Sequence, residues 1–539
     1  MKYLYKLSYL VVFAVMFTAC MDDLDQSPTD PDVFTEEDVF ASADEAKSAL
    51  AKLYAGFALT GQTGPAGDPD ITNLDEGASQ FTRLLFVLNE LPTDEAVNGW
   101  GDAGVPNFHQ MDWSAGNDFL EAMYYRLALE VSYCNSFIDN ATALNSDTDV
   151  QYYIAEARFL RAYAYSYLMD FFGNVPIVTS VSTDLPMQST REEIFTFVEA
   201  ELLEVQDLLP DSGATEYGRV DKVAAWALLS RIYLNAETWI GENRYSDCVT
   251  YSEMVISSSY QINTTDANGN GNAYDELFLA DNDSNGAQNE FIFTANFDGI
   301  NSTTYGGSTY LVFAAIGGDM VASEYGVNGG WAGNRVTKSL VEKFNDAITA
   351  SDSDGYPTAW SDSRAMFYTE GQNYEIETIS NTFTDGYANV KFKNIKSDGS
   401  TGNDVNQTFV DTDVPLIRVA EIYLNYAEAV LRGGGGSNTN AVTYINELRE
   451  RAYGNSSNNI NATNLNLDFV LDERARELQW EGFRRTDLIR YGYFTSSTYL
   501  WPFKGGAANG VGISSYRVLY PIPTSILTVN PNMTQNSGY

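Results

Sequence analysis

Apolar side chains return every third or fourth residue along 151–172. Tyr153, Ala157, Leu160, Ala164, Leu168 and Phe171 fall on one stripe, as in an amphipathic helix. Gly173-Asn174-Val175-Pro176 ends the pattern, since glycine eases the exit of a helix and proline cannot extend it. The same spacing predicts helices over 117–140, 190–209, 220–238 and 243–258, then over 415–432, 438–453 and 466–491. Short turns pair 117–140 with 150–172, 190–209 with 220–238, and 415–432 with 438–453 across Gly433 to Gly436. Small alanines among large aromatics in paired helices suggest tetratricopeptide-like packing. A further helix is predicted over 35–58, opened by the Thr35 hydroxyl and the acids Glu36, Glu37 and Asp38. The fold class expected is mainly α: a tetratricopeptide-like helical repeat core with a loop-rich capping subdomain containing short β segments.

The helical period fails in two places. Residues 60–112 carry the turn strings TGQTGPAGDPD, LPTDE and GWGDAGVP, and a long irregular stretch inside a helical unit usually serves as functional surface. Residues 260–410 are rich in Gly, Asn, Asp, Ser and Thr, with β-like runs at 290–294 and 309–313. This divides the chain into a helical core over 36–258 that carries the loop 60–112, a capping subdomain over 259–413, and a C-terminal helical part over 414–539 that completes the core.

The first twenty residues form an address. Lys2 and Lys6 precede an apolar run from Leu7 to Phe17, too short to span a membrane, that ends in small residues and Cys20. This looks like a bacterial lipoprotein signal in which Cys20 is lipidated, with Phe17 where such signals usually have Leu. Residues 21–35 are acidic and contain Pro28 and Pro31, the composition of an extended tether. Cys134 and Cys248 stand in apolar helical contexts and read as buried thiols.

Composition narrows the chemistry. The net charge of −42, from 31 Lys and Arg against 73 Asp and Glu, repels a phosphate backbone and argues against nucleic acid. A single histidine, His109, and three cysteines argue against most zinc sites, His-based triads and disulfide scaffolds. No G-x-S-x-G, phosphate-loop, dinucleotide-fold or H-E-x-x-H string occurs. Aromatic residues reach 13%, and neutral sugar rings are bound by aromatic platforms with a few fixed polar groups. The irregular stretches offer Trp100, Tyr305 and Trp331 as such a platform, with Asp75 and Arg83 placed to bond hydroxyls, whereas Trp113, Trp226, Trp239 and Trp480 belong to the core. The run Asp281-Asn282-Asp283-Ser284-Asn285-Gly286 opens like a calcium loop but has Ile292 at its twelfth position, and Asp-Asn-Gly strings also form plain turns. The string 266–271 shares that opening. A charged helix over 472–490 interleaves acids and arginines, with Glu481 and Arg485 at i,i+4 and Asp487 and Arg490 at i,i+3. The arginines would keep its carboxylates ionised, which suits an ion-pair network better than a glycosidase acid.

Three strings together resemble the SusD/RagB family of outer-membrane glycan-binding lipoproteins: AEARFLRAYAYSYLMDFFGNVPIV (155–178), VPLIRVAEIYLNYAEAVLR (414–432) with INELRERA (445–452), and LDERARELQWEGFRRTDLIRYGYF (471–494). DEGASQFTR, ELPTDE, YGGSTYLV, KGGAANG and YPIP are similar to its starch-binding members. The resemblance implies a non-catalytic, lipid-anchored, surface-exposed protein of the outer membrane. It would capture starch or related α-glucan oligosaccharides and pass them to a SusC-type TonB-dependent transporter. It also implies that Asp75, Arg83, Trp100, Tyr305 and Trp331 are glycan-binding positions, although one tryptophan follows ELPTDE where the starch-type pattern has two. A structural Ca2+ would be held by Asp281, Asp283 and Asn285, with Asp411 and Asp413 of DTDVP supplying the missing oxygens. The alternatives are a secreted glycoside hydrolase of helical fold, a receptor of the same family for another glycan, and a repeat scaffold with no sugar site.

Cys20→Ala removes the acyl attachment, and two acyl chains are what make such anchoring stable. The variant is expected to leave the outer-membrane fraction or to stay unprocessed, as read by membrane fractionation. Unchanged retention would exclude lipidation at Cys20.

Overall fold

The computed structural model describes residues 39–539 apart from Gln62 and Asn73; the signal, Cys20 and the tether lie outside them. The first helix, α1 (Ala43–Ala58), is capped by Ser42 after a turn, so the single helix expected over 35–58 does not run unbroken through residues 40–42. Further helices of the core are α3 (Asp118–Ala141), α4 (Thr148–Phe172), α5 (Arg191–Val205), α6 (Lys222–Ile240) and α7 (Tyr245–Ile256). Their starts are set by side chains that satisfy the free N–H groups. Asn117 Oδ1 accepts from the N–H groups of Phe119 and Leu120, and Thr190 and Glu193 form a reciprocal capping box.

Consecutive helices pack on one another, α3 on α4, α4 on α5, α5 on α6, and α6 on α7. The single stripe expected for α4 understates its burial. Every residue from Phe159 to Phe172 is buried, because α4 runs through the centre of the core rather than along its surface.

Four other expectations fail for tertiary reasons. Within 60–112 stands a regular helix, α2 (Phe81–Asn89), buried at every residue except Arg83. The β-like run 309–313 belongs instead to α8 (Gly307–Phe313), buried throughout. The C-terminal charged helix is two: α11 (Leu467–Leu478) and α12 (Arg484–Arg490), separated where Trp480 (φ 63°) and Gly482 (φ 84°) turn left-handed. His109, expected in a loop, is buried in the short helix Pro106–Gln110.

The capping region is built on antiparallel strand pairs. β1 (Ala96–Asn98) pairs with β3 (Asn334–Val336), and β2 (Phe291–Ala295) with β8 (Val414–Arg418). The small pairs β4 (Ile348–Ser351) with β5 (Pro357–Trp360), and β6 (Phe367–Tyr368) with β7 (Ala388–Asn389), lie between. After β8 the chain re-enters the core as α9 (Val419–Leu431), which packs on α7 and on α10 (Asn438–Tyr453). Among the described residues no helix is long and apolar enough to cross a membrane.

Cap and core are joined by buried charge. Arg418 on β8 donates to Glu290, Glu477 and Glu481 at 2.7–2.8 Å. Lys391 reaches Glu481, Arg451 reaches Glu290 and Glu477, and Arg364 reaches Asp362, Glu473 and Glu477. Burial alone would raise the Glu473 carboxyl, but Arg364, Arg476 and Arg449 hold it down to about 2. The expected Glu481–Arg485 pair does not form: Glu481 serves Arg418 and Lys391, while Arg485 lies 3.4 Å from Asp170. Asp487 and Arg490 do pair, at 2.7 Å.

Glu477→Gln leaves three guanidinium groups short of one negative charge in a dry site. Removing one partner of a buried pair costs about 3–5 kcal/mol. Urea unfolding is expected to show a loss of that size; a loss below ~1 kcal/mol would mean that the cluster is hydrated.

Candidate glycan-binding site

The structure brings together four chain segments from two distant parts of the sequence: 75–83 and 98–100, and 305–310 and 328–334. Gln80 makes the first junction. Its side-chain N–H2 donates to the carbonyls of Phe57 and Ala58, while Oε1 accepts from the N–H of Arg83 and from Gly307 N–H at 2.8 Å. One fully buried amide thereby fixes the end of α1, the start of α2 and the start of α8. Glycines make the contact possible. A Cβ on Gly77 would lie 2.6 Å from Tyr305 Cβ, and one on Gly306 2.2 Å from Gln80 Cβ.

The second junction is the β1–β3 pair. Asn98 donates to Asn334 Oδ1 at 2.7 Å, accepts from Trp100 N–H at 2.8 Å, and so turns the indole out of the strand. Gly99 N–H donates to Gly333 O, and Trp331 N–H to Phe313 O at 2.7 Å. A Cβ on Gly333 would stand 2.4 Å from the Trp100 ring.

The expected rings therefore meet although 205 and 231 positions separate Tyr305 and Trp331 from Trp100. Trp100 Nε1 donates to Trp331 O at 2.9 Å, and the Trp331 and Tyr305 ring centroids lie 6.3 Å apart. Trp100 and Trp331 are half-buried and Tyr305 is 37% exposed, so each keeps apolar surface open. Buried rings support them: Tyr310 meets Trp100 edge-on at 6.0 Å, and Phe313 lies 5.0 Å from Trp331.

Arg83 sits over Trp100 at 5.7 Å and over Tyr310 at 4.7 Å. Its Nε has no hydrogen-bond partner, and no carboxylate pairs with it among the described residues. Burial lowers its pKa, opposed by the charges of Tyr310, Asp75 and Asp102. Asp75 is exposed and uses Oδ1 to accept from Ala78 N–H at 2.9 Å. A donor fork and an acceptor beside a row of open rings can grip a ring of carbon-bound hydroxyls by its flat face and its edge.

The acidic strings are arranged differently from the five-oxygen set that the sequence suggests. Asn282 binds Asp413 through both main-chain groups, which places the 281–286 turn against the 411–413 segment. Asp281 is turned to Ser397, and Asn285 donates to Glu276. Asp411 has Oδ2 on Asn403 N–H, while its buried Oδ1 has no partner. Asp413 accepts from Phe297 N–H and Tyr217 O–H. Burial, with neighbouring acids that include Asp283, pushes Asp411 up to about 6 and Asp413 up to about 7. Among the described residues no group of three or more His, Cys, Asp or Glu closes to metal-holding distance. The buried, unpartnered Asp411 oxygen and the repulsion between these carboxylates nevertheless suit a hard cation with oxygen ligands.

Sequence reasoning missed Gln80, Tyr310 and Phe409, whose ring lies 5.2 Å from Tyr305. Gln80 and Tyr310 stand inside quoted strings, yet nothing local marks a buried amide as a junction. Phe409 follows a polar loop and carries no signal of its own.

A mainly helical core with open rings and hydroxyl-directed polar groups on its cap defines a carbohydrate-binding protein. The comparisons give its family. A model described as "SusD family" matches residues 289–539, and one described as "Starch-binding associating with outer membrane" matches 50–234. The chain is 37% identical to the starch-binding protein SusD of Bacteroides thetaiotaomicron, over 100% of this chain and 99% of that one. It is 24% identical to the SusD-like protein P2 of Formosa agariphila, over 90% of each. Among solved structures, a SusD homolog from B. thetaiotaomicron superposes with TM-score 0.69 at 20% identity, covering 94% of this chain and 98% of that one. The surface glycan-binding protein A of the same species, in complex with laminarihexaose, gives 0.66 at 20% identity, covering 92% and 99%. The chain belongs to the SusD family: it is an outer-membrane-associated glycan-binding protein, and not an enzyme.

Proposed function

We propose that this protein captures starch-derived α-glucan oligosaccharides at the cell surface, anchored through a lipid on Cys20, and passes them to a SusC-type TonB-dependent transporter. The observation that carries this reading is the convergence of Trp100, Tyr305 and Trp331 beside the unpaired Arg83. The 37% identity to a starch-binding protein supports the choice of glucan. Stacking supplies the affinity. Arg83 donates to ring hydroxyls, Asp75 accepts from them, and the rings tilt against one another as a curved chain requires. Trp331 and Tyr305 lie at 51°, which suits a coiled α-glucan better than a flat β-linked one. The ligand is neutral, so affinity depends little on salt despite the acidic surface.

The test is an affinity gel containing amylopectin, run beside pullulan, dextran, levan and xylan. The parent is expected to be retarded by the α-1,4 glucans. Truncating a central aromatic costs about 1–3 kcal/mol, so the triple variant Trp100→Ala, Tyr305→Ala, Trp331→Ala is expected to run unretarded. Tyr305→Ala, which removes the most exposed of the rings, serves as the variant least able to disturb folding. Retention of the folded triple variant, or retardation by xylan or levan alone, would overturn the reading.

A calcium ion at the 281–286 turn is the second part of the proposal. Asp283, Asp411 and Asp413 would hold it, and its charge would offset carboxylates that otherwise repel one another. A ligand that binds only the folded state stabilises it by mass action. EDTA is expected to lower the melting temperature by several degrees and added calcium to restore it. Superimposable melts would leave the acids as plain turn residues.

A further inference from the structure

The ring series does not end at the three tryptophan and tyrosine positions. Phe409 lies 5.2 Å from Tyr305, at 51°, and is half-buried. Tyr305 is thus shared by two ring pairs, one with Trp331 and one with Phe409.

The loop that bears Phe409 is held as firmly as the platform itself. Asp404 folds it, accepting from Asn406 N–H at 2.9 Å, Thr408 N–H at 2.9 Å and Phe409 N–H at 3.1 Å. Gln407 takes a left-handed φ of 54° at its tip. Asn328, three residues before Trp331, pins the loop from the other side. Its side chain donates to Asn406 O and to Thr408 Oγ1, and its main-chain N–H to Gln407 O. Val410 N–H donates to Thr309 Oγ1 on α8, the helix that begins just after Tyr305. The loop is therefore tied to both ring-bearing segments. Val405 in the same loop is 93% exposed, an apolar side chain for which the fold itself has no use.

We propose that Phe409 is a fourth platform ring that adds a sugar subsite beyond Tyr305, with Asp404 and Asn328 as its positioning residues. This rests on the α-glucan reading above, and it makes the protein select for chain length. A short oligosaccharide fills the Trp100–Trp331–Tyr305 row, and only a longer one reaches Phe409. The added ring offsets the single tryptophan after ELPTDE, where the starch-type pattern has two. A ring held in place before the ligand arrives contributes affinity without an ordering cost.

Isothermal titration of the parent, Phe409→Ala, Phe409→Leu, Phe409→Tyr and Asn328→Ala against maltotriose and maltoheptaose tests this. Phe409→Ala and Phe409→Leu are expected to weaken maltoheptaose by about tenfold, the effect of one stacked ring. Maltotriose should change by less than about twofold. Phe409→Tyr restores parental affinity, and Asn328→Ala shows a smaller, length-dependent loss. Phe409→Leu keeps the bulk under the loop and reports even where Phe409→Ala fails to fold. Equal factors at both lengths, or no change at either, overturn the fourth subsite while leaving the three-ring site standing. A parent that takes up neither sugar overturns the α-glucan reading and this proposal with it.

Discussion

A guanidinium taken out of water has to be matched by carboxylates, and the architecture of this protein is organised around meeting that requirement at Arg418. The residue sits at the last position of β8, where the chain passes from cap to core. Its partners come from three places: Glu290 ahead of β2, Glu477 at the end of α11, and Glu481 in the break before α12. None of these carboxylates could be buried alone. Each therefore fixes the segment that bears it, and β2, β8 and α11 take up one mutual arrangement. The cap's own cations, Lys391 and Arg364, join the same acids, which seats the loop-rich region on the helices.

The same matching separates binding from catalysis. The charged segment contains many carboxylate pairs, but Arg364, Arg449 and Arg476 surround Glu473, and Arg418 and Arg451 bear on Glu477. Acids held ionised in this way have no proton to give. Arg83 is placed differently: it lies on aromatic faces without a carboxylate partner among the described residues, its donors available to a neutral ligand.

The helical pairs of the core were legible because their period, caps and glycine stops are local. α2 was not, because FTRLLFVLN is only nine residues long and stands between turn strings, too short a run to show a period. The break at 479–483 was not, because Glu481 is drawn into the ion cluster and the turn follows from that tertiary pull. The rings Trp100, Tyr305 and Trp331 were legible through resemblance and through their place in irregular stretches. Phe409 was not, because the asparagine that positions it lies 81 residues upstream. The acidic turns were half legible: Asp413 does meet the 281–286 turn through Asn282, whereas Asp281 spends its oxygens on Ser397, a residue no spacing rule connects to it.

The glycine contacts beneath the platform have a consequence for how such a surface can diverge. Gly77 packs against the Cβ and main chain of Tyr305, and Gly306 against the Gln80 side chain and Gly77 O, with no room for a further side chain at either glycine. The interval from one ring-bearing segment to the next is therefore a dimension of the backbone, insensitive to what the surface residues are. Evolution can exchange a ring for another shape, or drop one, without shifting its neighbours. The scaffold acts as a gauge of fixed pitch, and a descendant that binds a differently spaced polymer has to rebuild those glycine contacts rather than replace the aromatics above them.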